Sequence, residues 1–164
     1  MDGLRIRLAT VADLETVNAI YNHYVLTSTA TYQIAPETIE ARHAWFDAHD
    51  GQHPVIVAEL NGRVLGWGSL SRLSDREAYD RSVSNSVYIH YEHHRLGIGA
   101  AILAELIRLA RAAGHHTIIA GIDSEQVPSV GLHEHFGFIP VAHLKEVGYK
   151  FERWLDRIDM QLML

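Results

Sequence analysis

Residues 87–103 read Val-Tyr-Ile-His-Tyr-Glu-His-His-Arg-Leu-Gly-Ile-Gly-Ala-Ala-Ile-Leu, and the fold turns on them. The run starts as a strand, breaks at a glycine turn and continues as a helix to about Ala113, where Gly114 ends it. Ile98, Ile102, Leu106, Leu109 and Ala110 form its apolar stripe. Gly97 and Gly99 let the backbone approach a ligand closely, and the first helical N–H groups have no partner within the helix. Aligned peptide dipoles favour negative charge at this end, so a diphosphate suits the geometry and Arg95 can add a charged donor. A glycine connection that serves only close strand-to-helix packing accounts for the same two residues. A third reading is a dinucleotide fold, with Asp123 ending the next strand where a ribose-binding acid belongs. Against it, Ile102 occupies the third glycine position of that motif, and the chain has room for only one mononucleotide half.

Upstream, Leu4, Ile6 and Leu8 alternate with Arg5 and Arg7, the period of a half-buried strand. Thr10 and Asp13 make a capping box ahead of a helix that carries Leu14, Val17, Tyr21, Tyr24 and Val25. Pro36 suits the first turn of a second helix reaching Ala48. VIVAEL and VLGWGSL flank Asn61-Gly62, a dipeptide that supplies the positive φ angles of a tight antiparallel hairpin. A polar stretch, 71–82, leads into a strand over 83–90. Downstream come the buried strand HTIIAGI, a short helix from Pro128 to near Gly137, and the strands FIPVAHLKEV and RIDMQLML. The order β, α, α, β, β, β, α, β, α, β, β predicts a mixed, mostly antiparallel α/β sheet flanked by helices, in one domain over residues 1–164.

Composition narrows the partners. The chain has 164 residues, 14 Lys plus Arg against 20 Asp plus Glu, and a net charge of −6 with its 12 histidines neutral. Single scattered arginines make no stripe that would track a phosphate backbone, so nucleic acid is not an expected partner. No apolar run reaches the roughly 18 residues of a membrane span, and the N-terminus has no signal-like apolar region, so a soluble cytoplasmic protein is expected. With no cysteine, a metal would need histidines and carboxylates. His90, His93, His94 and Glu92 straddle a strand end and a loop, and His133 and His135 lack helical ligand spacing, so no metal is expected.

The motifs IYNHYVLTSTATY, SVYI, HHRLGIGAAIL, HTIIAGI, PSVGLHEHFGF and VGYKFERWLD occur in this order over essentially the whole length. In them the chain resembles the GNAT acetyltransferases, and within these the phosphinothricin and methionine sulfoximine N-acetyltransferases. The resemblance implies the GNAT fold and acetyl-CoA as co-substrate. It implies that Val87, Tyr88 and Ile89 offer strand backbone to the pantetheine arm, and that Arg95, Leu96, Gly97, Ile98, Gly99 and Ala100 hold the pyrophosphate. His94 stands where the family's glycine turn usually begins with Gln or Arg, and Gln126 replaces a common Asn near the cofactor arm, while Ser129 is unchanged.

Acetyl transfer to an amine needs a neutral amine, support for the tetrahedral oxyanion and a proton for the departing thiolate. The N–H of Tyr88 or Ile89 is the expected oxyanion donor, and His133 the expected proton donor, against the plainer reading of an amphipathic histidine on a short helix. Ser84 holds the place where the family carries a Glu that activates the amine, and a hydroxyl can orient water but is not basic. Asp75, Glu77, Asp80 and Glu92 are the alternative carboxylates, each also readable as a solvated loop charge. Leu73 replaces a frequent Trp. Arg76 is expected to meet an acceptor carboxylate or phosphinyl oxygen, with Tyr32 and Tyr79 walling the side-chain pocket. Lys150 and Trp154 match a segment near the active site and the dimer contact, with Glu152 in place of a usual glycine, and the resemblance implies a homodimer. The expected activity is direct acetylation of a small amino acid or analogue. The rival readings are a CoA-binding module without efficient catalysis and a nicotinamide dinucleotide protein.

Overall fold

In the computed structural model, which describes residues 3–164, the Asn61-Gly62 turn takes the two positive φ angles its residues allow, 51° and 75°. It joins β2 (Val55–Leu60) to β3 (Arg63–Arg72) as antiparallel neighbours. β1 (Arg5–Leu8) adds to the outer side of β2, and β4 (Ser82–Ile89) to the far side of β3. β5 (Thr117–Asp123) pairs in parallel with β4, while β6 (Ile139–Lys150) and β7 (Arg153–Met163) form a second hairpin. The sheet order is β1-β2-β3-β4-β5-β7-β6, so the last strand lies beside β5 and the strand before it becomes the edge. A sheet with one parallel contact is the expected mixed architecture and excludes a doubly wound dinucleotide fold.

Among the described residues, four α-helices cover the sheet. α1 (Leu14–Thr27) and α2 (Ile39–Asp47) lie on one face, where Val17 and Ile20 pack with Val57 and Trp67. The capping box forms at Thr10 and Asp13, but it opens a 3-10 turn over Val11–Asp13 that then becomes α1. Pro36 lies outside α2, which begins after Thr38 because that hydroxyl accepts the Ala41 N–H at 3.1 Å. On the other face, α3 (Ile98–Ala112) buries Ile98, Ile102, Leu103, Leu106 and Ala110 against Ile56, Leu70, Val83, Ile118 and Ala120. α4 (Val127–His135) joins the same layer through Val130 and Leu132. Gly68 sets how closely α3 approaches, since a Cβ there would meet Ile102 Cγ2 at 2.5 Å and the Ser86 carbonyl at 2.9 Å.

Candidate active site

The parallel contact between β4 and β5 has three rungs, Ser82↔Thr117, Val83↔Ile118 and Ser84↔Ile119, and then the strands part. Beyond that point residues 85–89 pair with β3, and residues 120–123 pair with β7. The His90 N–H donates to the Leu65 carbonyl, and main-chain direction alternates along an antiparallel strand. Ser86 and Tyr88 therefore spend their main-chain groups on β3, whereas Val87 and Ile89 turn theirs into the gap. This corrects the expectation for Tyr88 as an oxyanion donor: its N–H belongs to the ladder, and the amide facing the gap is that of Ile89. The Tyr88 side chain is committed too, stacked on Trp67 at 5.0 Å and edge-on to Tyr21 at 5.2 Å, with burial pushing its hydroxyl pKa up.

A cavity of about 570 Å³ fills the gap and continues along the glycine turn. Val87, Tyr88, Ile89, Arg95, Gly97, Ile98, Gly99, Ala100, Gln126, Ser129 and His133 line it, so the structure brings most of the expected cofactor residues together. Leu96 turns outward and is absent from this wall, and only its amide belongs to the turn. Arg95 and Gly97 adopt φ of 61° and 78°, which bends the chain into the start of α3. The first helical bond is Ala101 N–H to the Gly97 carbonyl at 3.0 Å. Among the described residues, no N–H from 94 to 100 donates to a carbonyl or side chain of the protein. A row of unpaired amides at a helix N-terminus, beside strand backbone turned into an open gap, fits a diphosphate followed by an amide-bearing arm.

His133 is 3% exposed. Its Nδ1 lies 2.8 Å from the Ser129 carbonyl, which can only accept, so Nδ1 carries the proton. Burial lowers its pKa, and Nε2 of the neutral ring accepts from Asn85 Nδ2 at 2.9 Å. The expected proton donor thus presents a lone pair in this arrangement, because its one proton is held by Ser129. Asn85 Oδ1 is buried without a partner. Ser84 sits at the last rung, opposite Ser71 and Ile119, away from the cavity wall.

A second cavity of about 200 Å³ shares Ala30, Tyr88, Gly121, Ile122 and Asp123 with the first, and adds Thr29, Thr31, Tyr32 and Arg157. Asp123, 5% exposed, accepts hydrogen bonds from the Thr29 hydroxyl and from Tyr32 at 2.9 Å. Gln126 Nε2 donates to Thr29 at 3.1 Å, so Gln126 braces the same cluster. Of the four expected acceptor-binding residues only Tyr32 reaches this space. Arg76 and Tyr79 are exposed on the loop between β3 and β4 and line neither cavity. The same holds for Asp75, Glu77 and Asp80, and Glu92, exposed in the turn after β4, also lines neither cavity. Lys150 is 3% exposed, with Nζ donating to the Ser28 and Thr31 carbonyls at 2.7 and 2.8 Å, so it anchors the loop that carries Thr29 and Tyr32 rather than facing an acceptor. Tyr24, on the helix face that carries Val17 and Tyr21, reaches the site as well: its hydroxyl donates to the Ile89 carbonyl and meets His94 Nε2 at 2.6 Å. Among the described residues, no three His, Asp or Glu groups gather as metal ligands.

Residues 6–159 match the family described as an acetyltransferase (GNAT) domain. The chain is 39% identical to an L-amino acid N-acyltransferase of Escherichia coli, over 98% of this chain and 94% of that protein. It is 35% identical to a phosphinothricin N-acetyltransferase of Streptomyces viridochromogenes, over 93% and 84% respectively. An acetyltransferase structure from Salmonella typhimurium containing acetyl-CoA superposes with a TM-score of 0.96, at 38% identity over 99% of this chain and 95% of that one. A sheet opened at its one parallel contact, with a free-amide turn beside the opening, defines an acetyl-CoA-dependent N-acetyltransferase. The chain belongs to the GNAT acetyltransferase family.

Proposed function

We propose that the protein transfers acetyl from acetyl-CoA to the amino group of a small amino acid or analogue of the phosphinothricin, methionine sulfoximine or methionine sulfone type. The observation that carries this reading is the meeting of two cavities, one along the free amides and one beside the carboxylate of Asp123, at a shared wall of Tyr88, Ile122 and Asp123. Relatives named for these acceptors, including a methionine sulfoximine/methionine sulfone acetyltransferase of Salmonella typhimurium at 38% identity, support the acceptor class. Bound acetyl-CoA supplies an acyl group activated as a thioester. The amides of residues 94–100 would hold its diphosphate and the main chain of Val87 and Ile89 its arm, with the Ile89 N–H placed to steady an oxygen that gains charge. Asn85 and His133 form the polar floor of the gap, where the lone pair of His133 can take a proton.

We further propose a single domain over 1–164, a cytoplasmic location, no metal, and neither nucleic acid nor membrane as partner; the net charge of −6 supports the last of these. A homodimer is supported by the edge strand β6, whose Val141, Leu144, Val147 and Tyr149 are exposed beside Phe151 and Trp154; ultracentrifugation at micromolar concentration should give twice the chain mass.

Thiol release from acetyl-CoA tests the activity, with L-methionine sulfone, L-methionine sulfoximine and phosphinothricin as acceptors. Turnover with at least one above the acceptor-free rate is expected. Saturable acetyl-CoA binding without turnover on any amino acid would leave a binding module and overturn the assignment.

A further inference from the structure

The smaller cavity contains charges that the expected acceptor residues do not explain. Arg157 on β7 is the register partner of Asp123 on β5, so an opposite-charge pair stands side by side on one face of the sheet. The guanidinium lies across Gly121: a Cβ added there would be 2.7 Å from its Cζ and Nη2, so the glycine clears the space the arginine occupies. Nε of Arg157 donates to Asp159 at 2.5 Å, which aims the group and leaves both Nη atoms without a partner among the described residues. Asp123 accepts one hydroxyl on each oxygen and keeps further lone pairs. Asp123 borders both cavities, whereas Arg157 borders only the smaller one.

We infer that Arg157 and Asp123 form a clamp for a zwitterionic acceptor, Arg157 binding its α-carboxylate and Asp123 drawing its amino group to the junction of the cavities. This rests on the proposed acceptor class and sharpens it. A free α-amino acid satisfies both ends of the clamp, and an α-carboxamide satisfies one. A guanidinium with two free nitrogens matches the two oxygens of a carboxylate, which an amide cannot reproduce. Arg157 thereby takes the role that the sequence suggested for Arg76.

The test compares L-methionine sulfone with its α-carboxamide, at saturating acetyl-CoA, for the unaltered protein and for Arg157→Gln, Arg157→Lys and Asp123→Asn. The unaltered protein is expected to favour the free acid in KM by about tenfold or more. Arg157→Gln should erase that preference through KM for the acid, Arg157→Lys should restore part of it, and Asp123→Asn should raise KM for both compounds. Thermal shift with CoA alone reports whether each variant is folded and keeps its cofactor cavity. An acid-to-amide KM ratio unchanged in Arg157→Gln would overturn the clamp while leaving the amino-acid activity standing. Failure of the unaltered protein to acetylate any amino acid would overturn both.

Discussion

Replacing Gly97 with alanine isolates the backbone contribution of the glycine turn. The residue has φ of 78°, and a Cβ there would find no atom within 4 Å, so the substitution introduces conformational strain without a clash. A residue with a Cβ pays about 1–2 kcal/mol to occupy this left-handed region. That energy can appear in two places. If the turn keeps its shape, the folded protein loses 1–2 kcal/mol, about that much in urea denaturation. If the turn relaxes, stability is preserved, but the amides of residues 94–100 must be brought back into line when CoA binds, and Kd rises by a factor of roughly 5–30. The two losses together should come to about 1–2 kcal/mol however they are divided. Urea denaturation and calorimetric titration with CoA measure both on the same variant. If Gly97→Ala leaves both stability and CoA affinity unchanged, the amide row does not depend on this backbone shape and the reasoning fails.

Gly68→Ala drives a methyl group into Ile102 and into the backbone oxygen of Ser86, and the main-chain atom cannot swing away; a loss of about 1–3 kcal/mol in denaturant is expected, and an unaffected midpoint would show that α3 can shift outward. For His133, burial lowers the pKa from 6.5, so above that pH the ring is neutral whether folded or not. As the pH falls below 6.5 the unfolded chain binds a proton that the folded ring refuses, and stability declines until the depressed folded pKa is reached. His49 and His90 are shifted in the same direction by burial and persist in any His133 variant. His133→Gln should therefore make the decline between pH 6.5 and 5 shallower by at most about 1.4 kcal/mol per pH unit, measured by denaturation at several pH values; an identical slope would mean that the ring is not shielded.

The order of elements was legible because its signals are local. Asn61-Gly62 specifies a hairpin, Gly97 and Gly114 bracket a helix with a strong apolar stripe, and Thr10 with Asp13 marks a helix entry. Pro36 misled because two residues able to begin a helix lie close together, and the hydroxyl of Thr38 supplies the cap while proline supplies only a favourable φ. The glycine turn with its unpaired amides was readable for the same local reason. The separation of β4 from β5 was not, because it is a matter of how far two strands more than 30 residues apart in the chain stay paired, which no local pattern records. The acceptor side followed suit. Arg157 is partly exposed to solvent on an alternating strand, and only its register with Asp123 and the bare backbone of Gly121 reveal that it also borders the smaller cavity. Lys150 reads as an available cation until its two carbonyl partners are seen.

The three rungs between β4 and β5, with the His116 N–H donating to the Arg81 carbonyl at their outer end, form the main-chain seam that joins the front half of the sheet to the back half. Such a seam resembles a zip closed at one end, and a molecule lodged in its open end would act as the slider, tying Ile89 on one side to the strand that ends at Asp123 on the other. Cofactor and scaffold are then mutually reinforcing: the cleft that admits the ligand is also the weakest join in the sheet, so occupancy strengthens the protein where it is least continuous.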